Sequence, residues 1–374
     1  MGIDICEPGD LAAADLAAWA ALQERAAREG AGQLANPFLS PEFTLAVGRV
    51  RRGVRVAVIR EQGGREGAFE GFFPYQRSAF GVGRAVGLGL SDCQGVVHRP
   101  GFTCDARELL RACGLAVWEF DHLAAGPQPF ARFASSAHAS PVIDVAGGPR
   151  AFWDGLRERS PGFTRRTLSK ERKLGREAGE VVYVHDERDP RVLRTLLAWK
   201  SAQYRRTGRS DRFARPWIVE LVERLFHTSA GSCAGRLSVL YAGGRPVAAH
   251  FGLRSRTTLA TWFPAYDPAF ARYSPGLVLH LRLAEAAAAE GLRHVDMGRG
   301  DKRYKDALKS GDLTVYEGWA ARRHPVALGH RARRAPVRAL RHLVVSRPEL
   351  FAPADRLLKR WGAMRSGGER TTRG

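Results

Sequence analysis

Apolar positions along the chain switch between helical and strand spacing, and the switches mark out the elements. Leu11, Leu16, Trp19 and Leu22 recur at helical spacing behind Asp10, which suits an N-cap. Residues 37–50 read as a short helix opened by Ser40-Pro41, a hydroxyl cap followed by proline at the first helical position. The runs 54–59 and 68–75 flank a polar turn containing Gly63-Gly64 and read as a hairpin. Residues 81–101 are glycine-rich and irregular, and a helix near 104–113 leads into a strand over 115–123. A second unit starts near residue 146. It predicts a basic helix over 152–178, a strand over 181–184 and amphipathic helices over 192–204 and 216–226. Strands follow at 237–241, 246–253 and 257–263; then come a loop, a helix from Ser274 to Gly291, a strand at 293–297, a short helix near 302–308 and a strand at 313–320.

The two units resemble each other. Ala57-Val-Ile59, Gly63-Gly64-Arg65 and Phe72 return as Ser238-Val-Leu240, Gly243-Gly244-Arg245 and Phe251. A duplicated unit accounts for this, and so do two hairpins that share turn chemistry.

Length and charge narrow the class. A chain of 374 residues, 44% apolar, can build two cores without disulfides or structural metal. The expected division is 1–145, 146–322 and a basic helical tail over 323–374. Five cysteines, with no C-x-x-C pair and no zinc spacing, point to a reducing, cytoplasmic setting and to no metal. The acidic start is unlike a signal peptide, and no apolar run approaches the ~18–20 residues of a membrane span. The net charge of +21 draws anions of several kinds: nucleic acid, anionic lipid or phosphorylated ligands. Of the 59 basic residues only seven are lysine, as a GC-rich coding sequence favours. Residues 321–374 hold fourteen Lys and Arg against three Asp and Glu, either a solvated appendage or a dock on an anionic membrane surface at the inner face. Residues 157–176 hold eight against two, either a solvated face or a contact for a phosphorylated acceptor, a tRNA donor or lipid.

Two segments carry candidate chemistry. In Arg272-Tyr-Ser-Pro-Gly276, Ser274 fits an N-cap, Pro275 the first helical position, and Gly276 permits close approach of a ligand. A helix start with Arg272 beside it suits a pyrophosphate, although many capped helices bind nothing. In Asp296-Met-Gly-Arg-Gly-Asp301, followed by Tyr304-Lys305, a strand ends in a carboxylate and passes into a basic helix. Lys302, Lys305 and Lys309 are three of the seven lysines, retained where arginine is the rule.

Together with Trp262-Phe-Pro-Ala-Tyr-Asp-Pro268 and Asn36-Pro-Phe-Leu-Ser-Pro-Glu-Phe43, these segments resemble the GNAT-type acyltransferases of the cellulose-biosynthesis-associated (CelD-type) family, relatives of the Fem-type tandem-GNAT peptidyltransferases. The resemblance spans most of 36–320. It implies an α/β (α+β) fold of two tandem GNAT-like domains, each a mixed, mostly antiparallel sheet flanked by helices. It also implies acyl-CoA as co-substrate, with Trp262, Phe263, Arg272, Tyr273, Ser274, Pro275 and Gly276 around it. The Q/R-x-x-G-x-G/A loop of simple GNAT enzymes is matched only by Arg272 and Gly276. Lys305 stands where Fem-type enzymes carry the lysine of F-K-x-x-F, which assists an aminoacyl ester donor.

Acyl transfer to an amine needs a base, an oxyanion donor and an acid for the leaving thiolate. His250, on the strand 246–253, suits the base role or is a satisfied core histidine. Backbone N–H groups near Trp262 and Phe263 suit the oxyanion; Tyr266 and Tyr273 suit the acid or simple packing; Asp296 suits orientation of the acceptor or the capping of a turn. The expected activity is N-acyl transfer to an amino-sugar or other cell-envelope or polysaccharide-related acceptor. An aminoacyl-tRNA-dependent transferase is the enzymatic alternative. A non-catalytic basic protein docking on membrane or nucleic acid is the other.

Overall fold

The computed structural model describes residues 1–29, 32–61, 68–78, 80–300 and 302–329. The first half contributes β1 (Gly2–Cys6), α1 (Ala13–Arg28), α2 (Pro41–Val50), β2 (Val54–Arg60), β3 (Phe69–Arg77), β4 (Val82–Arg84), β5 (Val97–His98), α3 (Ala106–Ala112), β6 (Val117–Ala124) and β7 (Ala134–Asp144). The second contributes α4 (Gly148–Arg159), α5 (Pro161–Ala178), β8 (Val181–Val184), α6 (Pro190–Arg206), α7 (Pro216–Phe226), β9 (Ala234–Ala242), β10 (Arg245–Arg254) and β11 (Thr258–Tyr266). It continues with α8 (Pro275–Ala289), β12 (His294–Asp296), α9 (Arg303–Leu308) and β13 (Gly311–Ala321).

Local sequence explains most of the boundaries. Proline is the first residue of α2, α5, α6, α7 and α8, where its missing N–H costs nothing. Ser40 Oγ accepts from Phe43 N–H (3.0 Å), and Asp189 accepts from Arg191 N–H (2.8 Å). Asp10, by contrast, lies in a 3-10 turn and caps nothing; α1 starts three residues later, where Asp15 accepts the Ala12 N–H (3.0 Å). The single helix expected over 152–178 is two helices, broken at Ser160 because Pro161 denies it helical backbone.

The strands form one mixed, mostly antiparallel sheet in the order β1-β2-β3-β4-β6-β13-β7-β12-β11-β10-β9-β8, with β5 on β3. The order reads alike from either edge. β1-β2-β3-β4-β6 matches β8-β9-β10-β11-β12, and in each set the last pair, β4–β6 or β11–β12, is parallel. The final strands are exchanged: β13 pairs with β6 of the first half, and β7 pairs with β12 of the second. The two similar hairpins are β2–β3 and β9–β10; the first one's Gly63-Gly64 turn lies outside the described residues, as do positions 330–374 of the basic tail. β1 and β7 are additions to the sequence reading, and 81–101 also holds β4 and β5.

One core crosses the midline. Trp19 and Phe43 from α1 and α2 belong to the same buried cluster as Leu196 and Leu221 from α6 and α7. α3 packs on the opposite face of the first half and α8 on that of the second. Among the described residues no helix is long and apolar enough to cross a membrane.

Candidate functional site

β11 and β12 run side by side only from Thr258 to Ala260, opposite His294 to Asp296. Beyond Ala260 they part, and β11 continues to Tyr266 with β10 as its one strand partner among the described residues. A bulge in the β10–β11 ladder lies just past the parting. Phe251 faces Phe263 while Gly252 faces Thr261, so Trp262 is an extra residue whose N–H leaves the ladder. His250 collects it: Nε2 accepts from Trp262 N–H at 3.2 Å. His250 is fully buried, and burial, then His280, His185 and Lys200, hold its pKa well below the usual range. It is a neutral acceptor built into the bulge, and the Trp262 N–H expected at the oxyanion is already bonded. A Cβ on Gly252 would lie 2.6 Å from His250 Cε1 and 2.5 Å from the Ala260 oxygen, so only glycine fits there.

Past the parting, a cleft of about 500 Å³ opens beside the end of β11. Its walls are the end of β11 (Pro264, Tyr266), the start of α8 (Ser274, Gly276, His280), α6 (Lys200, Tyr204) and the approach to α9 (Lys302, Tyr304). Of the expected donor-site residues, Ser274 and Gly276 line it, as does Tyr266. Trp262 and Phe263 do not: the Trp262 indole packs against Phe38 (5.3 Å) and donates to the Leu90 oxygen (3.0 Å), while Phe263 packs on Phe213 (5.0 Å). Tyr273 is buried and donates to Glu177 (2.7 Å), and Arg272 bonds the same phenol and pairs with Glu177 (3.5 Å).

Ser274 occupies the N-cap position in the left-handed region (φ 51°), and its side chain does not cap. Its hydroxyl instead accepts from Lys170 Nζ of α5 (2.7 Å). The basic helix thus brings an ammonium to the start of α8. Lys200 Nζ donates to the Pro264 oxygen (2.8 Å); burial, with Arg209, Arg212 and Lys302, lowers its pKa to about 8. His280 stacks on Tyr304 (5.1 Å, 15°), and burial, then Lys305 and Lys200, bring its pKa to about 4. Burial raises the Tyr204 and Tyr304 phenols, so both keep their protons at neutral pH. Lys170, Lys200 and Lys302 had a sequence signal available, lysine kept in an arginine-rich chain. Tyr204 and His280 had none beyond their helical setting.

Asp296 and Lys305 sit at the seam of the two halves. Asp296 accepts from Ser140 Oγ (3.0 Å) of β7, from Gly298 N–H (2.9 Å) and from Asn36 Nδ2 (3.4 Å). Burial raises its pKa against these bonds and the Lys305 charge. Lys305 is buried and donates to the Gly298 oxygen (2.7 Å). Among the described residues no group of three or more His, Cys, Asp or Glu is placed to hold a metal ion.

No curated protein matches the chain in sequence. Solved structures of similar shape include one described as FemX (11% identity, TM-score 0.48, covering 71% of this chain and 87% of that one). Another is a tandem GNAT protein from the clavulanic acid biosynthesis pathway (14%, 0.46, 86% and 98%). A third is the C-terminal domain of a putative lysylphosphatidylglycerol synthetase from Agrobacterium fabrum (12%, 0.47, 76% and 89%). Likeness at this level carries no residue role to this chain. The family model described as an acetyltransferase (GNAT) domain matches residues 162–306, the segment from α5 into α9 that includes the cleft-lining residues named above.

Proposed function

We propose that the chain is an acyl-CoA-dependent N-acyltransferase of two tandem GNAT-like domains, within the cellulose-biosynthesis-associated branch, acting on an amino-sugar or other cell-envelope precursor. The carrying observation is the parting of β11 and β12 beside the start of α8. An extended pantetheine can lie along the unpaired flank of β11 past Ala260. The start of α8, Lys170, Lys200 and Lys302 supply positive potential for the phosphates. Gly276 leaves room: a Cβ there would point at Tyr266 Cδ1, 3.6 Å away, into the space a ligand would use. The phenols of Tyr204, Tyr266 and Tyr304 are the cleft's proton donors for a departing thiolate.

Acetyl-CoA and longer acyl-CoAs should each be tested for a rise in melting temperature of the full chain. A rise that Gly276→Val or Lys170→Glu abolishes supports the reading. No rise with any acyl-CoA, with tRNA retained on purification and released by salt, would replace it with an aminoacyl-tRNA donor.

A further inference from the structure

Across the seam from the cleft, the first half carries charged groups that the donor side does not use. Asp92 follows β4 in the loop that receives the Trp262 indole, and its carboxylate accepts no hydrogen bond from any described residue. About it stand His122 of β6, with Nε2 at 3.9 Å, Asp296 of β12, and Arg212 ahead of α7. A Cβ on Gly298 would lie 3.0 Å from Asp92 Oδ2, so the carboxylate touches the loop leading to Lys302 and Tyr304 in the cleft wall. Asp92 is also close enough to Tyr204 of α6 to influence its phenol. The Asp92 side chain remains 30% accessible, so it can be reached from solvent.

The groups behind it cluster about Asp121. His122 Nδ1 is 3.0 Å from Asp121 Oδ1, which also accepts from Gln94 Nε2 (2.6 Å). Arg299 donates to the Asp121 carbonyl (3.2 Å) and to Glu317 (3.0 Å). Burial disfavours a charged imidazole, but Asp121 and Asp92 outweigh it and hold the His122 pKa above the ordinary range. Burial raises the Asp92 pKa to about 6, against the pull of His122. One partly accessible carboxylate thus stands 3.9 Å from an imidazole, with its pKa raised by burial to about 6.

We propose that Asp92 binds the ammonium of the acceptor and takes its proton, so that the first half forms the acceptor wall of the active site. The proposal rests on the acyltransfer reading above. One N–H proton passes to Asp92, the freed amine attacks the thioester carbonyl, the C–N bond forms and the C–S bond breaks. A second proton leaves with sulfur as the thiol, and the proton on Asp92 returns to solvent. His122 and Asp121 are positioning residues; His280 and His250 are held neutral elsewhere.

The test measures thiol release by the full chain from acetyl-CoA and longer acyl-CoAs, with glucosamine, galactosamine and a lysine peptide as acceptors, from about pH 5 to about pH 9. The wild type should lose activity below a limb near pH 6. Asp92→Asn should lower turnover by about 100-fold or more and remove that limb. The acyl-CoA melting shift should be unchanged. His122→Gln should move the limb rather than abolish turnover. Turnover of Asp92→Asn within about 3-fold of wild type, or an intact limb, overturns the proposal. If none of these amines supports thiol release, the His122 imidazole signals decide. Glucosamine added to the acyl-CoA complex should lower the His122 pKa by competing for Asp92, and no change overturns the proposal. Failure of the wild type to show any acyl-CoA melting shift would instead count against the donor assignment.

Discussion

Replacing Lys305 by methionine separates two roles that the sequence leaves together. Lys305 and Asp296 are only 6% and 4% accessible. The ammonium donates to the Gly298 oxygen at 2.7 Å and lies close enough to Asp296 to hold its pKa down against burial. Methionine keeps the aliphatic volume and removes the charge, leaving a buried carboxylate with only neutral donors from Ser140, Gly298 and Asn36. Removing the ammonium strips the buried Gly298 oxygen of its donor and Asp296 of a nearby charge, at a cost of about 1–3 kcal/mol. For a chain of this length about 1 kcal/mol corresponds to ~1–2 °C, so melting should fall by about 1–6 °C. The sign with pH is fixed too. Without the ammonium the folded-state pKa of Asp296 rises further above its unfolded value, so the folded chain holds the extra proton. The deficit is largest above that raised pKa and shrinks as pH falls through it. Urea unfolding at several pH values, with Asp296→Asn and the double variant closing the cycle, checks this; the double variant should recover most of the loss. A Lys305→Met chain as stable as wild type but devoid of turnover would refute the reasoning and make Lys305 a group that acts on the donor.

Three further outcomes follow from the same packing. His280 is neutral in the fold, with a pKa near 4 against the ordinary 6.5, so its contribution is complete above about pH 6.5 and about 3 kcal/mol is lost as pH falls to about 4. His280→Phe keeps the stack on Tyr304 and should flatten the urea midpoint between those pH values; an unchanged slope excludes His280 as its source. Gly252→Ala places a methyl against the Ala260 oxygen and His250, and should cost at least about 2 kcal/mol; a melting curve like that of wild type would deny the bulge. Gly276→Ala meets only an ordinary contact with Tyr266, so it should leave melting within about 1 °C yet weaken acyl-CoA binding; equal loss of both would show the residue to be structural.

The sequence exposes the parts of this molecule whose signal is local. The 257–263 run, Ser274-Pro275 and the 293–297 run locate β11, α8 and β12 because strand alternation and proline entry act over a few residues. β7 escapes it because Ala134-Ser-Ser-Ala-His-Ala-Ser140 has little β-propensity and Pro141 argues against a central strand. Its place is set by distant partners, β13 on one side and β12 on the other. The same limit governs the side chains. Ser274 is recognisable as a cap, but that its hydroxyl turns to Lys170 depends on a helix about a hundred residues away in the chain. His250 reads as a base because imidazole titrates near neutrality; its burial at a bulge, which removes that property, is tertiary.

The exchanged strands give the charge distribution its meaning. β7 carries Ser140 to Asp296, and β13 carries Glu317 to Arg299, which holds Asp121. Each half therefore orders polar groups belonging to the other, and the seam cannot open without exposing Asp296 and Lys305. Lys170, Lys200 and Lys302 gather on the cleft side of that seam, whereas Asp92 and Asp121 stand in the first half and Asp296 at the seam itself. A chain of net charge +21 nevertheless places carboxylates near a cationic cleft, which is the charge separation that the proposed anionic donor and cationic acceptor would require.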